Sequence, residues 1–65
     1  LLMKVGDLVR YRFSYGGWPL DKPGIIVEVD KVSTWVERYL VSWPGKPWQR
    51  QTWESPRDVE RISEG

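Results

Sequence analysis

The chain has 65 residues, ten of them Lys or Arg against nine Asp or Glu, and it contains neither Cys nor His. A chain of this length is expected to hold one thin hydrophobic core. The lack of Cys and His excludes disulfides, thiol nucleophiles, imidazole bases and most zinc and haem sites, and the near balance of charge excludes a strongly basic, nucleic-acid-binding composition.

The first predicted strand follows a Gly6-Asp7 turn and covers residues 8–13. Its apolar side chains alternate with arginines, which is typical of a strand with one buried and one wet face. The residues expected to pack in the core are Val5, Val9, Tyr11 and Phe13. Residues 14–23 combine Gly and Pro with large rings, so we expect a long ordered loop between the first two strands.

Residues 24–30 are predicted to form the central strand. The run is short, its apolar residues are β-branched, and Pro23-Gly24 prevents a helix from extending backwards. The side chains expected on the core face are Ile25, Val27 and Val29. Glu28 and Asp30 are expected on the polar face, where Ile26 is interpreted as cover for a neighbouring loop.

The third strand is predicted over residues 38–43, with Tyr39, Val41 and Trp43 inward and a Pro44-Gly45 turn after it. Residues 31–37 lack a clean period. They fit either a short helical turn or a hairpin, and the hairpin is favoured because Val-Ser-Thr-Trp-Val is poor helix material.

A fourth strand is predicted over residues 48–54 with Trp53 buried and Arg50 and Thr52 outward, although a shift by one residue exchanges Trp53 for Thr52. Residues 55–58, Ser-Pro-Arg-Asp, predict one helical or 3₁₀ turn, because Ser suits the N-cap, Pro the first helical position and Asp the third. Residues 59–62 then predict a closing strand anchored by Val59 and Ile62.

This order of elements resembles that of an SH3-like barrel. The segments that carry the resemblance to Tudor, KOW and related barrels are residues 5–9, 24–29 and 39–43, and the ending over residues 53–60 is similar to short uncharacterised proteins of tailed phages and marine metagenomes. The resemblance implies an all-β, five-stranded SH3-like barrel over residues 4–62, with tails at 1–3 and 63–65. It is moderately specific for fold and weak for function.

Three activities known in such barrels match this sequence poorly. The loop over residues 14–23 has one acid, Asp21, where signalling SH3 domains carry an acidic loop that binds proline-rich peptides. Residues 52–55, Thr-Trp-Glu-Ser, replace the pore motif of the plasmid-type dihydrofolate reductase. A methyl-lysine cage would need Trp18, Trp35 or Trp48 near Glu28 or Asp30. Capping of the barrel ends is the favoured interpretation of these rings.

No catalytic residue, metal ligand or cofactor is predicted. Glu28 and Asp30 share a strand face, but exposed acids two positions apart are more typical of a solvated surface than of a catalytic pair. No nucleophile is accompanied by a base. We therefore expect a binding or assembly module.

Two binding surfaces are predicted. The favoured one contacts a protein partner or a second copy of the chain through a Trp-rich loop surface, and its residues are Trp18, Leu20, Trp35 and Trp48. The alternative binds nucleic acid through a basic and aromatic strand face, and its residues are Arg10, Arg12, Tyr15, Lys46, Trp48 and Arg50. With no apolar run of membrane-spanning length and no signal peptide, the expected location is the cytoplasm, of a host cell if phage-encoded, with the virion as an alternative.

Overall fold

The computed structural model of the chain describes residues 3–13, 18–33 and 37–65. Five strands account for the regular structure: β1 (Leu8–Tyr11), β2 (Gly24–Lys31), β3 (Glu37–Ser42), β4 (Gln51–Glu54) and β5 (Val59–Ser63). All pairings are antiparallel, in the order β4-β3-β2-β1-β5. None of the described residues is helical, so the expectation of a small all-β fold with five strands is confirmed.

The sheet is strongly curved but is not closed by hydrogen bonds, because β4 and β5 remain its two edges. The expected barrel is therefore seen only as an open, curled sheet. The curl brings β1 and β4 face to face although two strands separate them in the order. Tyr11 on β1 stacks on the Trp43 ring at 4.3 Å between centroids, and its hydroxyl donates to Glu54 on β4 at 2.7 Å.

Aromatic rings supply half of the core side chains. The buried hydrophobic residues are Val9, Tyr11, Trp18, Ile26, Tyr39, Val41, Trp43 and Val59. The predicted inward phase of β3 is confirmed, since Tyr39, Val41 and Trp43 are fully buried. A buried ring removes about 150–250 Å² from water, so these rings give a short chain a core that smaller residues would not provide.

A β-bulge in β2 reverses the side-chain phase that simple alternation predicts. Ile26 pairs with Val41 and Glu28 pairs with the preceding residue Leu40, so Val27 is an extra residue in the ladder. Ile26 is therefore fully buried and Val27 is 39% exposed. The predicted inward placement of Val27 and outward placement of Ile26 are wrong, whereas Val29 packs against the core as expected.

The side chains of β4 follow the second of the two predicted alternations, in which Thr52 rather than Trp53 faces the core. Trp53 is 40% exposed, while Thr52 is half-buried and Glu54 is buried. Thr52 pairs with Val41 across the ladder, which fixes its side chain on the core face. The predicted burial of Trp53 is therefore wrong. Its ring instead lies on the outer face, where the Arg38 guanidinium stacks on it at 4.3 Å.

Three further core assignments are wrong because the strands end early or change face. β1 ends at Tyr11, and Phe13 beyond it is 68% exposed. Val5 is exposed in the turn before β1. In the pairing of β1 with β5, Val9 lies opposite Arg61 and Leu8 opposite Ser63, so Ile62 is an extra residue at a β-bulge and is exposed.

The structure also describes two predicted connections, the turn at residues 55–58 and part of the hairpin between β2 and β3. Residues 55–58 form one hydrogen-bonded turn rather than a helical turn: the Asp58 N–H donates to the Ser55 carbonyl at 2.9 Å. The Ser55 hydroxyl accepts from the Arg57 N–H at 3.2 Å, as expected of a capping Ser. The hairpin is confirmed by the pairing of Lys31 with Glu37, while residues 34–36 lie outside the described part of the chain.

Asp7 is a fully buried carboxylate that ties the two ends of the described chain together. It accepts from the Lys4 N–H at 2.9 Å, from the Lys4 ammonium at 2.9 Å and from the Gly65 N–H at 3.0 Å. Arg61 lies 3.5 Å from its second oxygen. These hydrogen bonds, those from Lys4 first, hold the pKa of Asp7 well below its ordinary value.

Candidate binding site

The candidate binding site includes the turn that follows β3, over residues 43–46. The Lys46 N–H donates to the Trp43 carbonyl at 3.2 Å, and Gly45 has a φ of 87°. Pro at the second position and Gly with positive φ at the third are the pattern of a type II turn. This turn directs the chain back over the ring of Trp43.

Lys46 lies against three aromatic rings, which we call the ring cluster: Tyr11, Trp18 and Trp43. Its ammonium is 5.5 Å from the centroid of Tyr11, 5.6 Å from that of Trp43 and 5.8 Å from that of Trp18. Each distance is within the range of a cation–π interaction. The half-buried Lys46 side chain thus brings its ammonium to all three rings.

A chain of hydrogen bonds supports the ring cluster from below. The Trp43 indole N–H donates to the Thr52 hydroxyl at 2.8 Å, and that hydroxyl donates to Glu54 Oε2 at 2.6 Å. The Tyr11 hydroxyl donates to the same oxygen and accepts from Lys46 Nζ at 3.5 Å. The buried carboxylate of Glu54 is therefore satisfied, and the rings are held in fixed orientations.

Trp18 connects this end of the sheet to the loop before β2. Its side chain is only 7% exposed, and the Lys22 ammonium lies 5.5 Å from the ring centroid. The buried indole Nε1 has no hydrogen-bond acceptor among the residues that the structure describes. A buried donor without an acceptor carries a cost of about 1–3 kcal/mol, which makes Trp18 an unusual member of the core.

The most exposed ring of the described chain lies two residues after Lys46. Trp48 is 71% exposed and belongs to the connection between β3 and β4. That connection is closed by two hydrogen bonds: the Trp43 N–H donates to the Arg50 carbonyl at 2.6 Å, and Arg50 Nε donates to the Lys46 carbonyl at 3.1 Å. Trp48 is thus presented by an ordered loop.

The predicted protein-binding residues are distributed over three environments. Trp48 and Leu20 are exposed, Trp18 is buried as a core ring, and Trp35 lies outside the described residues. The structure therefore gives two surface residues and one supporting ring at this end of the sheet.

The predicted nucleic-acid-binding residues separate into two groups. Arg10 and Arg12 both bind Glu60 on β5, at 2.7 and 3.3 Å, so one carboxylate offsets part of their charge. Lys46, Trp48 and Arg50 belong instead to the connection between β3 and β4. Tyr15 lies outside the described residues.

Sequence reasoning missed the residues that organise this site. Tyr11 and Trp43 were expected only to fill the core, and the roles of Lys22, Thr52 and Glu54 were not anticipated. The one local signal was Trp-Pro-Gly-Lys at 43–46, because a type II turn places its fourth residue close to its first. The link to Glu54 depends on strand register, which this signal does not contain.

The described residues show neither a metal site nor a membrane span. They hold no group of three or more acidic side chains that would bind a metal ion, and they contain no helix that could cross a membrane. Comparison of the chain with protein-family models, with curated proteins and with solved structures yields no match.

Proposed function

We propose that the chain is a non-enzymatic binding or assembly module that contacts a protein partner, or a second copy of itself, through Trp48 and Leu20. The observation that carries the proposal is the 71% exposure of Trp48 on a loop closed by hydrogen bonds. Trp is among the residues that dominate binding energy at protein interfaces. A ring held in place before binding also loses little conformational entropy on binding.

The test is selection of a random peptide library on the immobilised protein. We expect Trp48→Ala to abolish enrichment of the selected peptides. Phe13→Ala is the matched control, because Phe13 is also a largely exposed ring but lies beyond β1. Sedimentation of both variants and the parent reports self-association through the same residue. A monomer that enriches no peptide, or enrichment unchanged by Trp48→Ala, contradicts the proposal.

An SH3-like barrel is the finer description of the fold that we propose. The strand order β4-β3-β2-β1-β5 and the contact of Tyr11 with Glu54 across the core support it. Origin in a tailed phage, and a location in the host cytoplasm or the virion, stay predictions from the sequence. An experimental structure in which β4 and β5 lie far apart and the sheet is flat would contradict the barrel.

Nucleic-acid binding is the second candidate, favoured by the position of Trp48 between Lys46 and Arg50. Base stacking on an exposed ring flanked by cations is a recurrent mode of single-strand recognition. It ranks second because Arg10 and Arg12 share Glu60 rather than extending this basic surface. Binding of a labelled oligothymidylate that weakens steeply with added salt and is lost in Trp48→Ala would favour it over the first candidate.

A further inference from the structure

The end of the sheet that presents Trp48 also carries three cations, which we call the cationic end: Lys22, Lys46 and Arg50. None of the three has a carboxylate within ion-pair distance in the described chain. The other described cations are mostly paired: Arg10 and Arg12 with Glu60, Arg38 with Asp30, and Lys4 and Arg61 with Asp7. Lys31 and Arg57 also form no ion pair with any residue that the structure describes.

The contacts given above bring the cationic end together around two Trp residues. The ammonium groups of Lys22 and Lys46 lie 5.5 and 5.8 Å from the centre of the Trp18 ring. Arg50 is attached to Lys46 by its hydrogen bond to the Lys46 carbonyl, and Trp48 lies between these two residues in the loop. Positive charge therefore lies over the Trp18 ring and at both ends of the loop segment that carries the exposed Trp48.

The acids near this surface do not compensate it. Glu54 is buried and already accepts two hydroxyl hydrogen bonds, and Asp21 is an exposed residue with no ion pair in the described chain. The surface thus carries three cations against one exposed acid, Asp21, and has an excess of positive charge.

From this arrangement we infer that the partner of Trp48 is an acidic protein segment, in which carboxylates flank an apolar side chain. Carboxylates complement the three cations, and the apolar side chain packs on Trp48 and Leu20. A patch of three cations on a chain of net charge +1 is small beside the extended basic surfaces that bind nucleic acid, so a protein segment is the better fit. The inference rests on the proposed protein-binding function.

The experiment compares two labelled synthetic peptides by fluorescence anisotropy. One contains Glu, Leu and Ser, and the other is identical except that every Glu is Gln. We expect the Glu peptide to bind at least about tenfold more tightly at low salt, because each exposed charge pair contributes a factor of about 2 to 5. Added salt should remove most of this difference.

The variants assign the effect to the cationic end. Lys22→Gln should weaken the Glu peptide about 2- to 5-fold and leave the Gln peptide unchanged. Arg50→Gln also removes the loop hydrogen bond to the Lys46 carbonyl, so it should weaken both peptides, and the Glu peptide more than the Gln peptide. Lys31→Gln is the matched control: it removes the same charge at the far end of β2 and should change neither affinity. Since Lys46 packs on the ring cluster, Lys46→Gln is included only if its melting curve matches that of the parent.

The outcomes distinguish the inferred acidic partner from the more general proposal of protein binding. Equal, Trp48-dependent binding of both peptides overturns the acidic partner and supports protein binding. No binding of the Glu peptide at low salt overturns the acidic partner, and protein binding is then judged by the library selection. Tighter binding of an oligothymidylate than of the Glu peptide overturns the inference in favour of nucleic acid.

Discussion

Gly24 illustrates how one residue limits the packing of the whole core. A Cβ at this position would lie 2.5 Å from Val41 Cγ1 and 2.7 Å from Trp43 Cε3, both of which are fully buried. Neither side chain has free space to move away, since protein cores are close-packed. The absence of a side chain at Gly24 therefore allows β2 to approach β3 and the Trp43 ring.

Gly24→Ala should lower the free energy of unfolding by about 1–3 kcal/mol, the usual cost of overpacking a filled core. Urea denaturation followed by circular dichroism measures the change. Val32→Ala, at an exposed site beyond β2, is the control and should leave stability within about 0.5 kcal/mol. A Gly24→Ala protein as stable as the parent would show that the core relaxes around the added methyl group.

Tyr11 is the second residue at which a substitution is expected to lower stability, because its hydroxyl is hydrogen-bonded to a buried acid. Tyr11→Phe removes a 2.7 Å hydrogen bond to the buried carboxylate of Glu54 and should destabilise the fold by about 1–3 kcal/mol. Tyr39→Phe removes a 3.4 Å hydrogen bond from the Met3 N–H and an interaction with the half-buried Glu37, neither of which involves a buried carboxylate, and should cost less. Thermal unfolding of the two variants gives the comparison, and an equal loss in both would contradict the role assigned to Glu54.

At the scale of the elements, the bulge in β2 predicts which strand tolerates the deletion of one residue. Deleting Val27 leaves Ile26 inward, Glu28 outward and Val29 inward, so the alternation of β2 is kept. Deleting Leu40 from β3 instead exchanges the two faces of the strand on one side of the deletion. We expect the Val27 deletion to fold and the Leu40 deletion to remain unfolded in circular dichroism. The reverse result would show that Val27 is not the extra residue.

The strands themselves were predictable from the sequence, but the faces of two of them were not. β2 and β3 were recognised from β-branched and aromatic runs bounded by Pro and Gly, which are local properties. The bulge at Val27 is not local, because it follows from matching two strands that each have their own contacts. The outward position of Trp53 likewise depends on Thr52, which lies beneath β3 and accepts from the Trp43 indole.

The candidate site was only partly predictable for a related reason. The sequence predicts Trp48 as a binding residue on a Trp-rich surface, and the structure shows its ring exposed. Trp18 was expected on the same surface, but the curl of the sheet places it in the core beneath Lys46. That curl is a property of five paired strands together, so single segments of sequence do not report it.

At the scale of the whole molecule, Asp7 makes stability depend on pH. Its pKa is held below the ordinary value of about 3.9 by hydrogen bonds from Lys4 and Gly65, so the unfolded chain takes up this proton more readily than the folded chain. The stabilisation is therefore complete above the unfolded pKa and is lost as the pH falls below it.

We expect the melting temperature to fall on acidification below about pH 4, and Asp7→Asn to reduce that dependence while lowering stability at neutral pH. Asp30→Asn is the control, since Asp30 forms an exposed pair with Arg38 and should alter the profile little. Melting curves recorded across this pH range measure both effects. An unchanged acid profile in Asp7→Asn would assign the acid sensitivity to other carboxylates.

The proximity of Lys4 and Gly65, bridged by Asp7, also bears on how the chain reaches this shape. The hydrogen bond from Gly65 to Asp7 joins positions 58 apart, so during folding it must close almost the longest loop available to the chain. A circular permutant that links residue 65 to residue 4 and opens the chain between β2 and β3 would turn this contact into a local one while making the hairpin distant. Comparison of its refolding rate with that of the parent shows whether the contact of Gly65 with Asp7 or the β2–β3 hairpin limits the rate of folding.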